Sequence, residues 1–290
     1  MVGEGDRVLL ACAQYAVRDG DPETNLRLSL AWISAAARAG ADLVVLPELS
    51  NSGCDLSSRE MALRLAEGVP EGPTVRAWAE ASRDLGILVV GGLLEAEGDA
   101  IYNSAVVVGP DGLLGCYRKT HFWDREKLMY EPGRELPVFE TPLGTLGLLV
   151  CYDAWFPEAI RTLAMRGAEI LCIPANAPDD WVPEGQRRGG LTMLGAHAIA
   201  GGNANRIYVA CANRVGGGYQ GRSCVVAPSG GVLAFGEAHE EGLVLAEVDR
   251  ERARREKHLT PYSHAFGDRN EEVYKVGPTP KPRGGDDPTS

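Results

Sequence analysis

Six short, almost unbroken apolar runs decide what this chain can fold into. They are VLLACAQ at 8–14, ADLVVLPE at 41–48, ILVVGGLL at 87–94, GLLVC at 147–151, EILCIP at 169–174 and IYVACAN at 207–213. A strand with one wet face alternates apolar and polar residues, so runs without alternation must be covered on both faces. Segments with helical spacing lie between them: Pro22–Ala39, Ser57–Ala66, Thr74–Leu85, Pro157–Met165 and Leu191–Ala200. Asp21-Pro22 and Gly72-Pro73 supply start signals, and Gly40, Gly86 and Gly167 supply stops. Turn chemistry at Pro110-Asp111-Gly112 and at Pro142–Gly144 predicts two hairpins, Tyr102–Val108 with Leu113–His121 and Pro137–Thr141 with Leu146–Cys151. Gly221–Ala227, Gly231–Phe235 and Leu243–Val248 read as a final antiparallel group, and Arg250–His258 as a short basic helix. The order βαβαβ, hairpins, βαβ implies two parallel α/β units joined through antiparallel strands.

The whole of 1–276 reads as one α/β domain, followed by a Pro/Gly/Asp-rich tail at 277–290 that is expected to be extended or disordered. A 44% hydrophobic composition over 290 residues leaves ample material for one core. A formal net charge of −11 argues against nucleic-acid partners, which need a concentrated basic patch. The chain carries seven cysteines, an odd number with no CxxC, and most lie in apolar runs. That is the usage of a reduced cytoplasmic protein rather than of a disulfide framework. No signal peptide or membrane-length apolar stretch is visible, so no membrane partner is expected. The histidines show no ligand spacing, and neither a metal nor a cofactor is expected.

Three residues stand where chemistry is expected. Glu48 ends one apolar run, Lys119 sits on a second strand, and Cys151 ends a third. Sheets of this kind bind ligands beyond the carboxyl ends of their strands. A strand that stops at Cys151 and turns at once into a helix near Trp155–Pro157 resembles a nucleophile elbow. A carboxylate beside a thiol can take its proton, and an ammonium can stabilise both a thiolate and an oxyanion. The backbone N–H of Tyr152 is a natural second oxyanion donor. His121, two residues from Lys119, is the rival base for Cys151; the reading adopted makes it a structural histidine supporting the loop. Trp123, Tyr152, Trp155, Asn176 and Trp181 are expected to wall a modest aromatic pocket, with Trp123, Trp155, Asn176 and Trp181 as substrate contacts. The GGG at 216–218 lacks the context of a phosphate loop.

Four segments together resemble the nitrilase, or carbon–nitrogen hydrolase, superfamily: LVVLPELSNSG at 43–53, YRKTHFWDREKLMYEPG at 117–133, LGLLVCYDAWFPEAIRTLAMRGAEIL at 146–171 and IYVACANRVG at 207–216. The resemblance implies a four-layer αββα sandwich. It makes Glu48 the general base, Lys119 the stabilising cation, Cys151 the nucleophile, and Glu126 a second glutamate that orients Lys119. The implied activity is hydrolysis of a linear amide or N-carbamoyl amine through a cysteine thioester. A nitrilase or a thioester-using acyltransferase is the alternative. The chain looks closest to the amidase and N-carbamoylputrescine amidase-like branch. Members acting on carbamoyl amino acids place paired arginines just after the cysteine, where this chain has Asp153-Ala154-Trp155. HAIAGGNANRIYV at 197–209 lacks the glutamate common at that position. Family members pair their sandwiches, so a homodimer or higher homo-oligomer using about 259–276 is implied.

Overall fold

A computed structural model describes residues 6–178 and 191–274. Its sixteen strands among the described residues begin with β1 (Arg7–Gln14), β2 (Leu43–Val45), β3 (Leu88–Glu97), β4 (Ala100–Gly109) and β5 (Gly112–Arg118). They continue with β6 (Val138–Thr141), β7 (Gly144–Leu148), β8 (Ile170–Ala175) and β9 (Tyr208–Asn213), then a small hairpin of β10 (Val215–Gly216) and β11 (Tyr219–Gln220). Then come β12 (Cys224–Val226), β13 (Val232–Phe235) and β14 (Gly242–Asp249), and a second small hairpin of β15 (His258–Thr260) and β16 (Ser263–His264). Two six-stranded sheets result, ordered β14-β1-β2-β3-β4-β5 and β13-β12-β9-β8-β7-β6. Each has three parallel strands at its centre, β1-β2-β3 in one and β7-β8-β9 in the other. Each adds an antiparallel pair on one side and a single antiparallel strand on the other. The chain thus builds one topology twice, without a repeat visible in its sequence.

The unbroken apolar runs are explained by burial on both faces. Leu10, Cys12, Leu43, Val45, Leu88 and Val90 share a core with Leu146, Leu148, Cys172 and Val209 of the second sheet. The alternate residues Ala11, Ala13, Val44, Leu46 and Val89 pack instead with Ile33 and Ala36 of helix α1 (Pro22–Arg38) and with Val75 and Trp78 of α3 (Pro73–Leu85). On the far side, Ile160 and Leu163 of α4 (Pro157–Met165) join the core of the second sheet, as do Leu194 and Ala198 of the helix Met193–Asn205. The architecture is the expected α-β-β-α sandwich. A short α2 (Arg59–Leu65) lies beside it and packs through Ala62 under the site loops.

Some expectations need correction. The strand near the C-terminus, β14, does not extend the β12–β13 group. It pairs with β1 over its full length, from Arg7 opposite Asp249 to Gln14 opposite Gly242. Its inward residues Val244, Ala246 and Val248 complete the core between the sheets, and among the described residues β1 has no other antiparallel neighbour to satisfy that edge. The strand of the first hairpin stops at Arg118, so Lys119 and His121 lie beyond it; the strand before Cys151 stops at Leu148. The predicted helix at 191–200 starts at Met193 behind a Thr192 cap and continues to Asn205, through the glycine pair. Those glycines serve packing: a Cβ at Gly201 would stand 2.7 Å from Ile160. The basic helix is shorter than predicted, Arg250–Arg255. The tail at 277–290, and Trp181 with most of its loop, lie outside the described residues. Among the described residues, no helix is long and apolar enough to cross a membrane.

Candidate active site

Glu48 follows β2 and is buried, at 3% exposure. Its Oε1 accepts from Lys119 Nζ at 2.8 Å and from Asn103 Nδ2 at 2.7 Å, while Oε2 accepts from the Asn176 backbone N–H at 2.8 Å. The Asn176 side chain holds the same loop by donating to the Glu48 carbonyl at 3.0 Å. Asn176 comes one residue after β8 and Glu48 three residues after β2, so the segments that leave the middle strands of the two sheets meet here. Close approach of β3 is part of the arrangement, because a Cβ at Gly92 would sit 2.6 Å from the Glu48 Cα. Leu49, the next residue, has φ +49°, a left-handed backbone uncommon outside glycine.

Lys119 lies just past β5 and is 1% exposed. Its backbone N–H donates to the Asn103 carbonyl at 2.8 Å. Its ammonium meets Glu48 and both oxygens of Glu126, each at 2.8 Å. Burial pulls the Lys119 pKa down, but the Glu48 and Glu126 carboxylates outweigh it and hold the ammonium charged. Glu126 sits in the 3-10 turn Asp124–Leu128 and also accepts from the Trp123 N–H at 2.7 Å and from Asn103 at 3.0 Å. Burial dominates its own titration and raises its pKa, against the pull of Lys119.

Cys151 opens a 3-10 turn, Cys151–Trp155, that leads into α4. Its φ is +44°, so the elbow read from the sequence takes the form of a left-handed residue between strand and turn. Burial first, and the Glu48 charge second, push its thiol pKa well up; Lys119 and the Asn176 N–H oppose them. A thiol so placed is protonated at neutral pH and needs a base to become a nucleophile.

One cavity of about 220 Å³ joins these groups. Glu48, Lys119, Glu126, Cys151, Tyr152, Trp123, Trp155 and Asn176 all line it, so eight of the nine residues singled out from the sequence converge. The ninth, Trp181, lies outside the described residues. Trp123, Tyr152 and Trp155 form one aromatic cluster, with ring centroids 5.0 to 5.9 Å apart. Among the described residues, no group of three or more His, Cys, Asp or Glu is arranged to hold a metal ion.

Two residues that hold the site were missed. Asn103, fully buried on β4, bridges both carboxylates; a polar residue inside the apolar run IYNSAVVV was the available signal. Asp153, also fully buried, ties the segment after Lys119 to the one before Cys151. Its Oδ1 accepts from the Thr120 hydroxyl at 3.0 Å, the His121 N–H at 2.9 Å and His121 Nδ1 at 2.8 Å. Its Oδ2 accepts from the Tyr117 hydroxyl at 2.7 Å and from the Val150 N–H at 3.0 Å. His121 therefore pairs with Asp153 and stacks on Phe156 at 3.7 Å, as a structural histidine would. Asp153→Asn places an amide donor against groups that donate. The expected cost is about 1–3 kcal/mol in stability. Misalignment of Lys119 and Cys151 should lower turnover on the order of 100-fold. Denaturant midpoints and steady-state rates measure the two separately.

Comparison with known proteins bears on the chain as a whole. Residues 9–257 match the family model "Carbon-nitrogen hydrolase". The chain is 36% identical over 259 residues to a nitrilase of Pyrococcus abyssi, covering 88% of this chain and 94% of that one. It is 28% identical over 291 residues to N-carbamoylputrescine amidase of Solanum lycopersicum, covering 93% and 94%. A solved mutant of the amidase from Nesterenkonia sp. AN1 superposes with a TM-score of 0.70 at 28% identity, covering 89% and 97%. That structure carries the acetamide moiety of fluoroacetamide covalently added at its active-site cysteine. With its two-sheet sandwich and a family match over most of its length, this chain belongs to the carbon-nitrogen hydrolase family.

Proposed function

We propose that the protein hydrolyses a linear amide or N-carbamoyl amine through a thioester on Cys151. The observation that carries this reading is the convergence of a protonated thiol, a buried carboxylate and a charged ammonium on one cavity. Glu48 takes the thiol proton, and its Oε2, which accepts only the Asn176 N–H among the described residues, has room to do so. The sulfur attacks the carbonyl carbon. Charge on the oxygen is met by Lys119 and by the Tyr152 N–H, one of the first amides of the turn and without an acceptor inside it. Three carboxylate oxygens already lie 2.8 Å from the Lys119 Nζ, so it acts mainly through its field. Collapse breaks the C–N bond, and the proton on Glu48 leaves with the amine or ammonia. Glu48 then takes a proton from water, which attacks the thioester; the proton returns to sulfur as the acid departs. Glu126 holds Lys119 and Trp123 in place through this cycle.

The amidase neighbour's adduct at its cysteine supports amides as substrates, and the cavity's aromatic wall supports an apolar acyl group. The Pyrococcus nitrilase supports a second reading, in which a nitrile gives the acid and ammonia at the same cysteine. Seven free thiols favour a reducing compartment, the cytoplasm. Exposed Tyr262, Val273 and Tyr274 favour a homo-oligomer. Ammonia release over primary amides, N-carbamoyl amines and nitriles separates the substrate classes. Glu48→Gln is expected to lower turnover by about 10²–10⁴. A rate that persists in this variant removes Glu48 from the base role.

A further inference from the structure

Neither the two six-stranded sheets nor the proposed chemistry accounts for the small β10–β11 hairpin. Three successive glycines, Gly216, Gly217 and Gly218, take φ of +77°, +62° and +93°, a reversal open to few other residues. The reversal delivers the next residue, Tyr219, to the wall of the cavity that holds Cys151 and Glu48. Tyr219 is braced from behind. Its hydroxyl is 3.0 Å from Cys54 Sγ, and its ring lies 4.5 Å under the Arg214 guanidinium. Arg214 is 3% exposed and donates to Cys54 Sγ at 3.3 Å, to the Val17 carbonyl at 2.8 Å and to Asp19 at 3.2 Å.

Cys54 lines the cavity too, six residues after Glu48. Burial raises its thiol pKa to about 11, against the pull of Arg214 and the Tyr219 hydrogen bond. It is therefore a neutral part of the wall at ordinary pH and no second nucleophile. The Tyr219 hydroxyl is already engaged by protein, so it has little need of substrate. What the pair offers a substrate is bulk on a rigid mount. The cavity facing it, about 220 Å³, is modest; an engineered cavity of about 150 Å³ is filled by one benzene.

We infer that Tyr219, clamped by Cys54 and by the Arg214–Asp19 pair, sets the size limit of the acyl group, and that the site takes compact amides. The substrate class is that of short-chain or single-ring primary carboxamides. This rests on the amidase reading above, and the test keeps the two apart.

The experiment is a ladder of linear primary amides, from acetamide to octanamide, with benzamide, on wild type, Tyr219→Ala, Tyr219→Leu and Tyr219→Phe. Wild type should favour the short members and benzamide. Tyr219→Ala should raise the kcat/KM ratio of long over short amides by roughly tenfold or more, the order of one or two methylenes in an apolar pocket. Tyr219→Leu should shift it less, and Tyr219→Phe should keep the wild-type order, because the ring and not the hydroxyl sets the limit. The same ladder is titrated against Cys151→Ala and the double variants Cys151→Ala/Tyr219→Ala and Cys151→Ala/Tyr219→Leu, reading Kd by calorimetry without turnover. A size order that is the same in the Ala and Leu variants as in wild type, with near-native melting and far-ultraviolet dichroism, overturns the inference alone. Size-ordered binding without hydrolysis by wild type overturns the amidase reading and leaves the wall intact. No binding by any amide overturns both.

Discussion

Cys151→Ala is expected to abolish turnover, by roughly a millionfold, the loss that follows removal of a covalent nucleophile. Intact-mass measurements on wild type should trap an acyl adduct on this residue, and the variant should form none. Binding of amides should survive, since the cavity walls and the Glu48–Lys119–Glu126 group do not depend on the sulfur. A pH series extends the test. Burial and the neighbouring Glu48 charge raise the Cys151 pKa, so the neutral thiol is the folded protein's form at pH 7. Alkylation by iodoacetamide should therefore be slow at pH 7 and climb with pH, because the thiolate is the reactive species. Catalysis should not follow that climb, because the base works within the substrate complex. Hydrolysis that survives Cys151→Ala would remove the thioester mechanism.

The second large effect belongs to Lys119→Met, which should damage activity and folding together. Three carboxylate contacts of 2.8 Å converge on this buried ammonium. Deleting it leaves Glu48 and Glu126 facing each other without a cation. Breaking a buried ion pair from one side costs about 3–5 kcal/mol. Loss of oxyanion stabilisation adds about 10²–10³ in turnover. Urea midpoints and kcat distinguish the two losses. The double variant Lys119→Met/Glu126→Gln removes part of the repulsion, so it should recover stability without recovering rate. Activity near wild type in the single variant would show that the ammonium is dispensable.

The legible parts of this protein were those written locally. Each apolar run predicts a strand because both sheet faces are buried, and the four-layer sandwich confirms that reasoning at Leu10 against Ala11 and at Val45 against Val44. Glu48 and Cys151 each end such a run and Lys119 follows a strand of the first hairpin, which is why all three stand out as letters in the sequence. Pairing was not local. Nothing in GLVLAEVD says that its neighbour is RVLLACAQ, more than 200 residues earlier, rather than the hairpin beside it. Asp153 was visible as a letter but not as a hub, since its partners at 117–121 come from β5, an edge strand of the other sheet, and the loop after it. Asn176 stood out as a pocket residue, yet its backbone N–H and its Nδ2 both donate to Glu48.

The placement of β14 has a consequence for how the molecule comes into being. The first sheet's opening strand remains an unpaired edge until residues 242–249 exist to cover it. Glu48 and Lys119 come from that first sheet, while Cys151 and Asn176 come from the second. These residues therefore meet only where the two sheets pack, and the first of those sheets is complete only once Gly242–Asp249 has paired with Arg7–Gln14, more than 200 residues away in the chain.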